Sequence, residues 1–192
     1  MGSSQIAVNK EGQALKRAGF VYDVVQRGLD ASFWKELATT VSVVSSKLRL
    51  ASGGSLASYT QFKYGIFQFA VNIASTPSAG EAKKFGLLLP GTPAVGSAYF
   101  EIKGAVFNAV SYDDDGNAQT TDITASFPGA AAEKDYEIEW EEDYVIFKIE
   151  GVVVASHQTR VGKTPLPIYL LNSDADNADF GSIIIKETAT YV

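Results

Sequence analysis

Apolar and polar residues alternate one by one through Tyr136, Glu137, Ile138, Glu139 and Trp140. Successive side chains of a strand face opposite sides, so this pattern predicts a half-buried strand with its glutamates on the wet face. After the polar turn Glu141-Glu142-Asp143, residues 144–149 form a second such run. Glu150-Gly151 then marks a tight hairpin into residues 152–156. A basic loop, 160–163, leads through Pro165-Leu166-Pro167 to a more apolar strand at 168–171. Upstream, the same reading gives strands at 20–25, 41–44, 47–50, 64–73, 85–89, 98–103, 105–112 and 120–127, and downstream a closing strand at 181–186. Gly53-Gly54-Ser55, Pro90-Gly91-Thr92-Pro93 and Asp113-Asp114-Asp115-Gly116-Asn117 read as turns. A dozen or so short strands at even spacing, almost without helix, predict an all-β protein: an antiparallel two-sheet jelly-roll sandwich. The one helix candidate is 9–19, with Asn9 as its cap and Gly19 at its end. The chain thus divides into a short N-terminal arm, 1–19, and a sandwich domain, 20–192.

Several stretches together resemble one superfamily. Tyr136-Glu137-Ile138-Glu139-Trp140 with its acidic turn, the hairpin and Pro165-Leu166-Pro167-Ile168-Tyr169-Leu170 are joined by Ser32-Phe33-Trp34, Lys47-Leu48-Arg49-Leu50 and residues 62–69. The order is similar to the concanavalin A-like lectin/glucanase superfamily, especially its laminarinase-like glycoside hydrolases of family 16. The resemblance runs from about Leu29 to the C-terminus. It implies a concanavalin A-like sandwich, and it places Gln68 where that family usually carries a glutamate.

Composition narrows the function classes. With 16 Lys and Arg against 22 Asp and Glu, the formal charge is −6, which gives a phosphate backbone little to bind, so no nucleic-acid partner is expected. The absence of cysteine removes disulfides, thiolate metal sites and cysteine nucleophiles. No apolar run approaches the roughly 20 residues that span a bilayer as a helix, and no membrane insertion is expected. The sequence as given starts without a basic, then apolar, secretory signal.

Glycoside hydrolases need two carboxylates, about 5–5.5 Å apart for retention or about 6.5–9.5 Å for inversion. The resemblance implies that these sit on a strand written E-x-D-x-E or E-x-D-x-x-E. In this chain Glu101 takes the first position, Lys103 replaces the aspartate and Ala105 the second glutamate. The pair is incomplete, and the expectation is a protein that is not an enzyme. Glu137, Glu139 and Glu141 have one-face spacing but read as a solvated strand face. His157, the only histidine, has no serine elbow to serve.

If Phe67 and Phe69 face the core, Tyr64 and Gln68 share the opposite face, and Tyr99 and Glu101 form a similar row nearby. The four are the candidate ligand-binding residues, a sheet surface for glycans. Structural calcium is the one cofactor the acidic loops suggest, at Asp113, Asp114, Asp115 and Asn117, or at Asn172 with Asp174, Asp176 and Asp179. Turn-forming Asp and Asn explain both loops without a metal. The metal candidates are Asp174, Asp176 and Asp179. The leading functional expectation is a non-catalytic structural or adhesion subunit of a virion or cell-surface assembly, found in the virion or at the extracellular surface. Its partners would be copies of itself or other particle proteins, with the arm as docking element. The alternatives are a lectin-like carbohydrate-binding module and a family 16-type endoglucanase.

Overall fold

The structure, a computed structural model, describes residues 20–23, 29–36, 40–73, 78, 80–90, 95–127, 132–186 and 189–191. The N-terminal arm and its helix candidate lie outside the described residues. In chain order the strands are β1 (Phe20–Asp23), β2 (Trp34–Glu36), β3 (Val41–Val44), β4 (Lys47–Leu50), β5 (Gly54–Lys63), β6 (Gly65–Ile73), β7 (Ala82–Leu87) and β8 (Ala98–Lys103). They continue as β9 (Val106–Tyr112), β10 (Ala118–Asp122), β11 (Glu133–Trp140), β12 (Val145–Ile149), β13 (Val152–His157), β14 (Leu166–Asn172), β15 (Ala178–Lys186) and β16 (Ala189–Tyr191). Every pairing is antiparallel. The first sheet runs β13-β12-β11-β6-β15-β4-β3, with β1 also on β15. The second runs β10-β9-β8-β7-β14-β5-β16, with β2 also on β5.

The alternation at 136–140 does what it predicts. Tyr136, Ile138 and Trp140 are buried against the second sheet, while Glu137 and Glu139 lie on the outer face. Opposite them, Phe85, Phe100 and Phe107 enter the core from the second sheet. Tyr136 sits edge-on to Phe85 and Phe100 at ring-centroid distances of 5.1 and 5.3 Å. Each fully buried ring of this cluster contributes about 1.5–3 kcal/mol through lost water contact. The hairpin at Glu150-Gly151 is present, both residues having positive φ (51° and 77°), as a tight turn matched to strand twist demands.

Three local readings change. Residues 62–69 are not one strand: Tyr64 (φ 58°) and Gly65 (φ 122°) turn the chain sharply, so that β5 belongs to the second sheet and β6 to the first. The segment 54–63, part of it read as loop, is a ten-residue strand. Its alternation was hard to see because Gly54 through Ser58 are all buried. The strand expected over 120–127 stops at Asp122. Its carboxylate accepts the backbone N–H of Thr124 at 2.9 Å, and a single 3₁₀ turn follows at Thr124–Ser126.

Candidate functional site

The outer face of the second sheet carries the residues that can meet a ligand. On β8, Ala98, Phe100 and Ile102 point into the core, so Tyr99, Glu101 and Lys103 point outward. Register then sets their neighbours. Tyr99 lies between Gly86 of β7 and Val110 of β9, and Gly86 in turn pairs with Tyr169 of β14. One row down, Glu101 lies between Lys84 and Asn108, followed by Asp122 of β10, with Leu171 on the far side of Lys84.

This outward face is not an ordinary wet one. Tyr99, Val110, Tyr169, Leu88 and Ala57 form a second apolar cluster, separated from the core by the sheet itself and flanked by Tyr112 and Leu171. Tyr99 is only 3% exposed. Burial, then the charges of Glu101 and Tyr112, push its phenol above the ordinary value, so it stays a neutral hydroxyl at any physiological pH. Burial also raises Tyr169, against a hydrogen bond to Ser55. Between the two tyrosines only glycine fits, because a Cβ on Gly86 would meet Tyr99 Cα at 2.6 Å. Lys84 Nζ lies 2.8 Å from Glu101 Oε1 and 5.3 Å from the centre of the Tyr99 ring. It is thus held by an ion pair and by the aromatic face together.

An apolar floor with a few converging polar groups is the usual make-up of a small-ligand surface. Glu101 is the only carboxylate on β8. Ala105, expected as a strand position, is in the β8–β9 turn. Asp122 is the second carboxylate of the Glu101 row, two strands away, a backbone separation of roughly 10 Å. Hydrogen bonds from the Thr124 side chain and backbone hold its carboxyl below the usual range.

The four residues expected to share one ligand face are divided between the sheets. Tyr64 stands at the corner where the chain leaves β5, packed edge-on to Trp140 at 5.5 Å. Gln68 is on the outer face of the first sheet and donates to Glu137. Tyr99 and Glu101 do share an outward row of β8, but Tyr64 and Gln68 do not share a face. The turn at Tyr64 and Gly65 packs Tyr64 on the core and sends β6, with Gln68, to the opposite sheet. Tyr169 and Lys84 were missed as site residues, since β14 reads as an apolar strand and Lys84 lies just before the strand expected at 85–89.

The expected metal positions have other partners. Asp174 is buried against Lys83 Nζ at 2.6 Å, and Asp179 takes two hydrogen bonds from Arg49 at 2.7 and 2.8 Å. The main-chain carbonyl of Asp176 accepts from Asn172. Asp113 accepts from Asn117 and Arg160, and Asp114 from the backbone of Lys163 and Thr164. Among the described residues no group of three His, Asp or Glu side chains is arranged to hold a metal ion. His157 is fully buried, its Nδ1 2.8 Å from Ser111 Oγ and its Nε2 2.9 Å from Thr121 Oγ1. Burial pushes it down to about 4, so it is a neutral tie from the first sheet to the second.

No protein-family model and no curated protein sequence matches the chain. Solved structures do match its fold. A Bacillus licheniformis β-glucanase is similar with a TM-score of 0.74 at 15% identity, over 88% of this chain and 98% of that one. A prokaryotic β-1,3-1,4-glucanase (lichenase) derived from a mouse hindgut metagenome gives 0.70 at 14%, over 89% and 100%. SCLam, a non-specific endo-β-1,3(4)-glucanase from family GH16, gives 0.68 at 11%, over 95% and 93%. These matches correct two expectations. The reading as a non-catalytic virion or surface subunit is overturned, and with it the expectation that the protein is not an enzyme, because the chains sharing this architecture along almost their whole length are glycan-active enzymes. The chain has the concanavalin A-like jelly-roll fold of the family 16 glycoside hydrolases.

Proposed function

We propose that this chain is a glycan-active protein of the family 16 glucanase type, taking a saccharide across the outer face of the second sheet, with Glu101 as the carboxylate that acts on it. One observation carries the reading. The strand to which the family resemblance assigns the catalytic carboxylates, β8, puts Glu101 on the same face as the buried Tyr99 and Tyr169. Sugar hydroxyls bond to planar and charged polar groups, which Glu101 and Lys84 offer, and the buried tyrosines beside them fix where those two groups stand.

The chemistry follows from the neighbours of Glu101. To act as general acid Glu101 must first leave Lys84 and take up a proton from solvent, which it then gives to the leaving glycosidic oxygen; an entering saccharide hydroxyl competes for the Lys84 ammonium. Asp122, held ionised by hydrogen bonds from Thr124, is the second carboxylate of the row and the candidate partner of Glu101. The test is a panel of soluble β-1,3-, β-1,4- and mixed-linkage β-glucans, with release of reducing ends and binding heat measured for the native protein and Glu101→Gln. Release that falls at least about 100-fold in the variant, with binding retained, supports the proposal. Binding without release in either protein reduces the function to glycan recognition. Neither binding nor release overturns it.

A further inference from the structure

A second constellation lies on the inner side of the same sheet and has no part in glycan chemistry. Lys83 is on β7 with its side chain directed between the sheets, and at 1% exposure it is among the most buried side chains of the molecule. Its Nζ is 2.6 Å from Oδ2 of Asp174, itself 3% exposed, in the turn that follows β14. Asp174 also accepts the backbone N–H of Ser78 at 3.4 Å, and its own N–H donates to Asn172 Oδ1. The third member is Glu81, two residues before Lys83, whose carboxyl interacts with that of Asp174. Its Oε2 is shielded from solvent and has no hydrogen-bond partner.

A buried ion pair alone is a poor explanation for these residues, since desolvating two charges consumes most of what their attraction returns. Placing a primary amine, a carboxyl carbon and a second carboxyl together out of water favours a different outcome. We propose that Lys83 and Asp174 condense to an intramolecular isopeptide bond, with Glu81 relaying the proton. The step balances without any co-reactant. A proton passes from the Lys83 ammonium to the Asp174 carboxylate across their contact, leaving neutral amine and neutral acid. Nζ then attacks Cγ of Asp174 while Glu81 donates its proton to the carboxyl oxygen. The tetrahedral centre collapses, the Nζ–Cγ bond remains, one Cγ–O bond breaks, and the oxygen leaves as water. Glu81 regains a proton from Nζ, so nothing is oxidised or reduced.

The electrostatics are consistent with a Glu81 that carries the proton. Its hydrogen bond to Asp174, then burial and the Asp174 charge, hold its carboxyl above the ordinary value. Burial would raise Asp174 as well, but the hydrogen bonds from Lys83 and Glu81 outweigh it and keep that carboxyl low. Of two neighbouring acids, Glu81 therefore holds the proton first. Water, which would hydrolyse or outcompete the reacting groups, is kept out by the neighbouring strands: Lys83 pairs with Ile102 of β8 on one side and with Asn172 of β14 on the other. Once formed, the bond would close a span of 91 residues.

The experiment is the intact mass of the folded full-length protein, followed by tryptic mapping. The expected result is a mass one water lighter than the sequence, no cleavage after Lys83, and a branched peptide joining the Lys83 and Asp174 segments. Glu81→Gln and Asp174→Ala should both show the full mass, with circular dichroism confirming that Glu81→Gln is folded. A folded native protein at full mass with Lys83 in a linear peptide overturns the proposal. So does a lost water traced to cyclisation at Asp115-Gly116 instead. A Glu81→Gln variant that still loses the water overturns the relay assigned to Glu81. None of these readings depends on glycan binding.

Discussion

The outer faces of the two sheets are built by the same alternation and do opposite things. On the first sheet, Gln68, Glu137, Lys148, Glu139 and Tyr144 make a lattice of side-chain hydrogen bonds, with Lys148 Nζ at 2.7 and 2.9 Å from Glu137 and Glu139. Those two bonds raise Lys148, and the bond from Lys148 is the main cause that lowers Glu139. The four carboxylate oxygens of Glu137 and Glu139 all have protein partners, so these glutamates are engaged within the face. On the second sheet the outward row holds tyrosines that are almost wholly covered, beside one ion pair. A glutamate on an outward strand position therefore means little by itself. What distinguishes Glu101 from Glu137 is the apolar floor beside it.

That difference can be tested by making the same substitution on each face. Glu101→Gln should lower glycan turnover by about 10²–10⁴-fold, the usual worth of a general acid, while Glu137→Gln leaves it unchanged. Equal effects would erase the distinction between the faces. A second measurement concerns the tie between the sheets. His157 titrates at about 4 in the fold against 6.5 when unfolded, so the unfolded chain binds the extra proton between those values. Its contribution to stability is complete above about pH 6.5, is lost as pH falls towards 4, and is constant below that. The loss amounts to at most about 3 kcal/mol. Urea midpoints from pH 7 to pH 4 should fall more steeply for the native protein than for His157→Gln, which can hydrogen-bond but not titrate.

Smaller effects sharpen the same contrast. Tyr99→Ala should weaken glycan binding by about tenfold in calorimetry, because it removes the ring that holds Lys84 beside Glu101. Lys148→Met should change the unfolding free energy by less than about 1 kcal/mol, as partly exposed ion pairs do, and leave glycan affinity alone. A loss of binding in Lys148→Met would move the site to the first sheet.

The sequence carried the architecture further than the site. Strict alternation at 136–140 and the Glu150-Gly151 turn are as expected, because strand period and turn chemistry are local properties. Which strands share a face is not local. It depends on the positive φ angles at Tyr64 and Gly65, and Tyr is not a residue that announces a turn. Tyr169 was hidden for a related reason. A strand buried on both sides shows no alternation, so β14 gave no sign of which side faces the ligand. The acidic loop at 172–179 was legible as a cluster, but its partners Lys83 and Arg49 lie about 90 and 130 residues away in the chain, beyond the reach of spacing arguments.

The position of β15 has a consequence for how the protein is made. It is the last long strand, yet it occupies the middle of the first sheet, between β6 on one side and β4 on the other, with β1 sharing its later half. Until residues 178–186 leave the ribosome, β6 and β4 each keep an unpaired edge, and the first sheet exists only as fragments. Completion of the first sheet therefore waits for residues 178–186, as expected for a fold dominated by distant pairings. During that interval the nascent chain presents open strand edges to its neighbours on the polysome, and it is then most exposed to aggregation and most dependent on chaperones.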